Sequence, residues 1–237
     1  MTQSDPAALP AALAGAASRL ALRQQNLAVL MPVLMHDVNG SLNGLALSTE
    51  LLSRLQQRDA ADPASAANLL LRTRNELGRL KLALKALENR VAPGGLVGEA
   101  PVREAPLIAT LHEVQTVLLP AIRRGQHELR PAVHEGELAI DARPDELFDL
   151  LAGLAIVMME GAPPRTTLDS RIEASEESAT VIIDHEGRAR SGISLEIHRE
   201  LLRSTAAHAR GAVEWHQSGA GSRARLRLPL AAARRGG

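Results

Sequence analysis

The chain has 237 residues, enough for one large domain or two modest ones with their own apolar cores. Its 27 Lys plus Arg balance 27 Asp plus Glu, so no excess charge points to nucleic acid or to an anionic membrane. The lack of cysteine excludes disulfides and thiolate chemistry, and the near-absence of aromatic residues argues against stacking platforms for single-stranded nucleic acid.

Residues 1–16, rich in Ala and Pro, read as a loose tail or a short lead-in helix. The opening MTQSDPAALPAALAGAASRL lacks the basic start and apolar core of a secretory signal. No run approaches the roughly 18 apolar residues that span a bilayer, so the expectation is a soluble, cytoplasmic protein with no membrane partner. From about Ala17 to Arg58, Leu27, Met31, Leu34, Val38, Ser41, Leu45, Ser48, Leu52 and Leu55 step by fours and threes as a heptad seam. Pro32 removes a backbone donor and crowds the carbonyl of Ala28, which predicts a kink one turn before His36.

RDAADPAS breaks the pattern, with Asp62 as N-cap and Pro63 at the first helical position. A second helix to about Arg90 carries the seam Ala66, Leu70, Thr73, Leu77, Leu80, Leu84, Leu87 and Val91. Residues 17–92 therefore read as an antiparallel helical hairpin. One hairpin leaves apolar flank uncovered, so a homodimer forming a four-helix bundle is predicted.

Residues 93–103 have the composition of a linker. Over 104–231 the pattern is mixed. EAPLIATLHEVQTVLLPAIRRG predicts a helix stopped near Gly125, and HELRPAVHEGELAIDA has strand-like alternation. RPDELFDLLAGLAIVMMEGAP predicts an apolar helix, TTLDSRIEAS and SATVIIDHEG paired strands, and SGISLEIHRELLRSTAAHARG a helix closed by Gly211. AVEWHQSGAGSRARLRLPLA predicts a hairpin turning at SGAGS, its arginines outward and leucines inward, which weighs against nucleic-acid binding. The fold class is α+β: a helical hairpin followed by an α/β sandwich, helices on one face of a mixed sheet, with a short tail at 232–237.

His36 lies about 160° around the helix from both Leu34 and Val38, so it points away from the seam. Its own stripe is Gly40, Asn43, Leu47 and Glu50. Asp37 follows directly, placed to accept a proton or orient the ring, and a neutral imidazole so held can attack a phosphoryl group. The other seven histidines are scattered, without the spacing or carboxylate support of a metal site. Their reading is structural.

HDVNGSLNGLALSTELL resembles the H-box of bacterial histidine kinases in its H-D-x-N form, and the layout from about Ala17 to Leu230 is similar to theirs: a dimerising hairpin, then an ATP-binding domain of the GHKL type. The resemblance implies that His36 carries the phosphoryl group and that Asp37 is the acid assisting its transfer. It also implies response-regulator receiver domains as partners. Four residues after the histidine the family often has Thr or Asn, used to dephosphorylate the partner; Gly40 stands here.

The resemblance further implies where nucleotide should bind, and the residues there are the wrong ones. The helix DELFDLLAGLAIVMMEGAP has no asparagine to hold Mg²⁺; the expected positions fall near Gly153 and Val157, with Glu160 an isolated acid. In IIDHEGRARSG, Asp184 or His185 falls at the adenine-reading aspartate, depending on register. In SGISLEIH, only Gly192 fits the phosphate-cradling box. Phosphoryl transfer from ATP depends on positioning and metal, so the expectation is a kinase frame without a working ATP site and with no cofactor of its own.

The leading expectation is a histidine phosphotransferase that passes a phosphoryl group between receivers, which bring their own Mg²⁺. Asn39, Gly40, Asn43, Leu47 and Glu50 form the expected docking patch. The alternatives are an ATP-dependent histidine kinase with an unusual pocket and a non-catalytic adaptor.

Overall fold

The computed structural model describes residues 8–56, 63–91 and 104–231. The expected turn around Asp62, the linker 93–103 and the tail 232–237 lie outside them. The chain divides into two compact units, Leu30–Val97, and Met1–Val29 together with Gly98–Gly237. The hairpin expected over 17–92 thus gives its first turns to the other unit.

Helix α1 (Ala8–Gln56) is 49 residues long and unbroken through Pro32; it begins well inside the expected tail. In the Leu30–Val97 unit its inward residues are Leu30, Val33, Leu34, Val38, Ser41 and Ser48. Helix α2 (Pro63–Val91) lies against it, with the Glu76 side chain beside Gly44. Inward-turned Ala66, Leu69, Thr73, Glu76 and Leu80 are half-buried, whereas Leu70, Leu77 and Leu84 are 58%, 53% and 49% exposed. Three of the expected seam leucines therefore form an exposed, heptad-spaced stripe. On α1 the seam is also displaced before Pro32. Asn26 and Leu30 take the buried positions, and the expected Leu27 and Met31 are only half-buried. An α-helix drifts against a strict heptad, and residues up to Val29 pack on a different surface.

The second unit has a five-stranded mixed sheet, order β2-β4-β5-β7-β6. Its strands are β2 (Glu128–Arg130), β4 (Thr167–Ala174), β5 (Ser178–Glu186), β6 (Ala212–Gln217) and β7 (Gly221–Pro229). β2 runs parallel to β4; the other pairings are antiparallel. β1 (Ala105–Pro106) and β3 (Ala139–Ile140) pair separately, so the alternating stretch 127–142 yields two short strands rather than one. Helices α3 (Leu107–Arg124), α4 (Pro144–Gly161) and α5 (Ile193–His208) complete the unit.

Sequence explains these elements locally. Pro144 opens α4, with Asp145 and Glu146 in the first turn where the helix dipole favours acids. The Glu137 carboxylate accepts from the backbone N–H groups of Ile108 and Ala109, capping α3 from 28–29 residues away. Helix α4 is apolar all round because it is enclosed all round; even Glu146 and Asp149 are buried. Leu168, Val181, Ile183, Leu226 and Val213 share the inner face of the sheet, while Asp169, Arg171, Arg223 and Glu214 share the outer one. The β6–β7 hairpin lies at the sheet edge as expected, with β6 outermost.

Helix α5 ends at His208, earlier than the expected stop. Arg210 (φ 58°) makes the left-handed turn, and Gly211 serves for close approach. A Cβ at Gly211 would stand 2.4 Å from the carbonyl oxygen of Arg227. Gly211→Ala is expected to destabilise this unit by about 1–3 kcal/mol, the usual range for overpacking. The check is the urea midpoint followed by fluorescence of Trp215, the sole tryptophan, which lies on β6.

Candidate functional site

His36 projects from α1 with its side chain 74% exposed, and the Asp37 side chain is 42% exposed. The seam explains this. Val33, Leu34 and Val38 turn inward, which leaves residue 36 on the opposite side of the helix. His36 Nδ1 and Asp37 Oδ1 are 3.8 Å apart, within ion-pair range and longer than a hydrogen bond. Nδ1 faces the acid, so Nε2 is the nitrogen offered to solvent.

The expected docking residues Asn39, Gly40, Asn43, Leu47 and Glu50 are all exposed. Nothing lies within 4 Å of a Cβ placed on Gly40. Leu47 is 49% exposed, and Glu50 pairs with Arg54 at 2.5 Å one turn further on. One helix face thus presents an imidazole, an acid, two amides, a glycine and an exposed leucine.

The second set of residues is on α4, α5 and β5. At the positions where a metal-binding asparagine is expected, Gly153 and Val157 are buried. What buries Gly153 is the first part of α1. A Cβ on Gly153 would meet Leu22 Cδ1 and Leu202 Cδ1 at 3.2 Å and Asn26 Oδ1 at 3.3 Å. Asn26, 2% exposed, donates through Nδ2 to the carbonyl of Asp149 at 2.9 Å. Its Oδ1 lies 2.9 Å from His198 Nε2. An amide oxygen can only accept, so His198 is the Nε2–H tautomer. Around this clamp, Ser18 bonds Ser204 at 2.9 Å and Arg19 pairs with Glu146 at 3.6 Å.

His198 is fully buried, and burial lowers its pKa from 6.5 to about 4. Its Nδ1 has no hydrogen-bond partner among the described residues, so a second proton would create a buried charge and an unsatisfied donor together. Sequence reading classed His198 with scattered structural histidines and did not single out Asn26. Two signals were present: Leu195, His198, Leu202 and Thr205 share one stripe of α5, and Asn26 sits midway between Leu22 and Leu30 at four-residue steps.

β5 resolves the register of the expected adenine position. His185 faces the helices, 4% exposed, with Nδ1 3.1 Å from the carbonyl oxygen of Glu186. Asp184 faces the opposite side of the sheet. There it accepts from Arg171 and, at 2.5 Å, from Arg223. A carboxylate on that face cannot read a base lying among the helices. The residues at the expected magnesium and adenine positions therefore do not fit Mg-ATP.

No protein-family model matches the chain, and no curated protein sequence does. Solved structures do match in fold. The Acinetobacter baumannii histidine kinase AdeS is 10% identical, covers 85% of this chain and 97% of its own, and has a TM-score of 0.46. A bacterial phosphotransferase is 13% identical, with 85% and 95% coverage and a TM-score of 0.47. A histidine kinase from Burkholderia phymatum STM815 is 16% identical, with 84% and 98% coverage and a TM-score of 0.44. The likeness is one of fold: helical N-terminal region followed by sheet domain. Among the described residues no helix is long and apolar enough to cross a membrane.

The His198 shift has a sign that can be tested. The folded state holds the ring neutral down to about pH 4, whereas the unfolded state protonates near 6.5. Stability from this group is complete above about pH 6.5 and falls as pH drops toward 4. Between pH 7.5 and 5 this amounts to about 2 kcal/mol. His198→Gln, which keeps a donor and does not titrate, should flatten that part of the profile of Trp215-monitored urea midpoints.

Proposed function

We propose that this chain is a histidine phosphotransferase: a dimeric phosphorelay protein that carries a phosphoryl group on His36 between response-regulator receiver domains and takes nothing from ATP. The observation that supports it most is the His36 imidazole, three-quarters exposed beside Asp37 on an open helix face. The Nε2 lone pair attacks the phosphorus of a receiver's aspartyl phosphate. The bond from phosphorus to the carboxylate oxygen breaks, and the receiver leaves as free aspartate. Asp37 holds the Nδ1 proton and steadies the positive ring. In the onward step a second receiver's carboxylate oxygen attacks phosphorus, the P–N bond breaks, and neutral imidazole returns. Receivers bring the Mg²⁺ that neutralises the phosphoryl oxygens, so this chain needs no metal ligand of its own.

Asn39, Gly40, Asn43, Leu47 and Glu50 are the docking face in this reading; Leu47 is its apolar anchor. The exposed Leu70, Leu77 and Leu84 stripe supports a second copy completing a four-helix bundle. A second reading, an ATP-dependent sensor-type histidine kinase with an atypical nucleotide site, is favoured by the solved structures above, two of which are named histidine kinases. Leu22 and Asn26 over Gly153 weigh against it.

Mixing with a phosphorylated receiver is expected to give acid-labile, base-stable label on the wild type and none on His36→Ala. Equal labelling of the two would leave the adaptor reading standing. Asp37→Asn should slow transfer on the order of 100-fold, the lower range for a lost acid–base group, as followed by rapid-quench labelling. Calorimetry with Mg-ATP is expected to show no heat; clear binding with autophosphorylation would promote the kinase reading. Leu70→Ser, Leu77→Ser and Leu84→Ser combined should shift the protein from dimer to monomer in sedimentation velocity.

A further inference from the structure

We infer that the groove between α4 and α5 is a helix-binding surface, and that residues Ala8–Val29 are its built-in, releasable occupant. The contacts repeat once per turn along one stripe of α1: Gly15 against His208, Ser18 against Ser204, Arg19 against Glu146, Leu22 against Gly153, Asn26 against Asp149 and His198. Three of these places are polar. Over residues 13–29, Leu22 is the only fully buried large apolar side chain, whereas Leu13 and Leu20 on the outer side are 63% and 54% exposed. The strap is therefore held by hydrogen bonds that water can replace and by little apolar area. The remainder of the unit rests on a dense apolar core of its own, including Phe148, Leu150, Ile156, Val181, Ile183 and Leu226.

The end of the strap coincides with a weak point. The compact unit that includes it stops at Val29, and Pro32 has no N–H to give the carbonyl of Ala28. One rung of α1 is missing just beyond the last docked residues. An element attached by one narrow stripe and bounded by a missing helical bond has the features of a segment that opens below the global unfolding free energy. Lifting it uncovers Gly153, Leu202 and His198. This inference stands apart from the role of His36, because it concerns only the α/β unit and its strap.

Hydrogen exchange on the full chain tests it. Asn26→Ala is expected to raise exchange of the α4 and α5 amides at least tenfold and to leave β5 and β7 unchanged. The chain lacks cysteine, so Ser18→Cys with Ser204→Cys gives a single possible cross-link where two hydroxyls now lie 2.9 Å apart. The oxidised pair should suppress α4 and α5 exchange below wild type, and reduction should restore it. The inference is overturned if the pair fails to cross-link, or if neither change moves α4 and α5. It is equally overturned if β5 and β7 speed up in step with them, which would make the strap part of the core.

Discussion

One carboxamide fixes how the first part of α1 sits on α4 and α5. Asn26 offers an N–H to the carbonyl of Asp149 and an oxygen to the His198 ring, beside Leu22, Leu202 and Gly153. Buried amides and imidazoles cost free energy unless they are paired, so the first part of α1 has one rotation and one axial position on α4 and α5. Sliding it by a turn would set Leu22 or Leu30 opposite the ring and leave the Nε2 proton without an acceptor. The close approach at Gly153 is the other half of this fit: a Cβ there would press on Leu22, Leu202 and Asn26 at 3.2–3.3 Å, and those side chains would have to give.

The residues expected at three nucleotide-binding positions make other contacts. Gly153 lets two helices touch. His198, in the stretch where a phosphate-cradling glycine is expected, is a clamp member. Asp184 belongs to the charged outer face of the sheet, held by Arg171 and Arg223. Gly153 and His198 belong to the contact with the first part of α1, and Asp184 lies on the other side of the sheet. The chemistry proposed for this chain sits elsewhere, on a helix face whose features are exposure and the adjacency of a base and an acid. That division suits transfer between proteins, in which the partner supplies the metal and the acidic pocket.

Much of the layout was legible in the sequence because periodicity reports burial directly. The Leu34–Val38–Ser41–Ser48 seam, the stop of α3 before Gly125, Pro144 opening α4, and the β6–β7 turn follow from local chemistry. The same periodicity turned His36 outward. What was hidden depends on contacts distant in the chain. Asn26 and His198 are 172 residues apart, and neither is unusual within its own helix. The displaced seam at Leu27 and Met31 was equally out of reach, since α1 changes partner partway along and a single heptad register cannot anticipate that. The parting of Leu70, Leu77 and Leu84 from the inward face of α2 has the same origin: spacing identifies an apolar stripe, but not which surface covers it.

Asp184 and His185 are successive residues of one strand, so they stand on opposite sides of the sheet. All nine residues of β5 are in register with β7, and seven with β4. To bring Asp184 round by slippage, the whole strand would have to move one place, which would turn Val181 and Ile183 out into water. An inward acid at this end of β5 can therefore come only from replacing His185 itself. The pairing of β5 with both neighbours thereby fixes which side of the sheet each of its side chains serves.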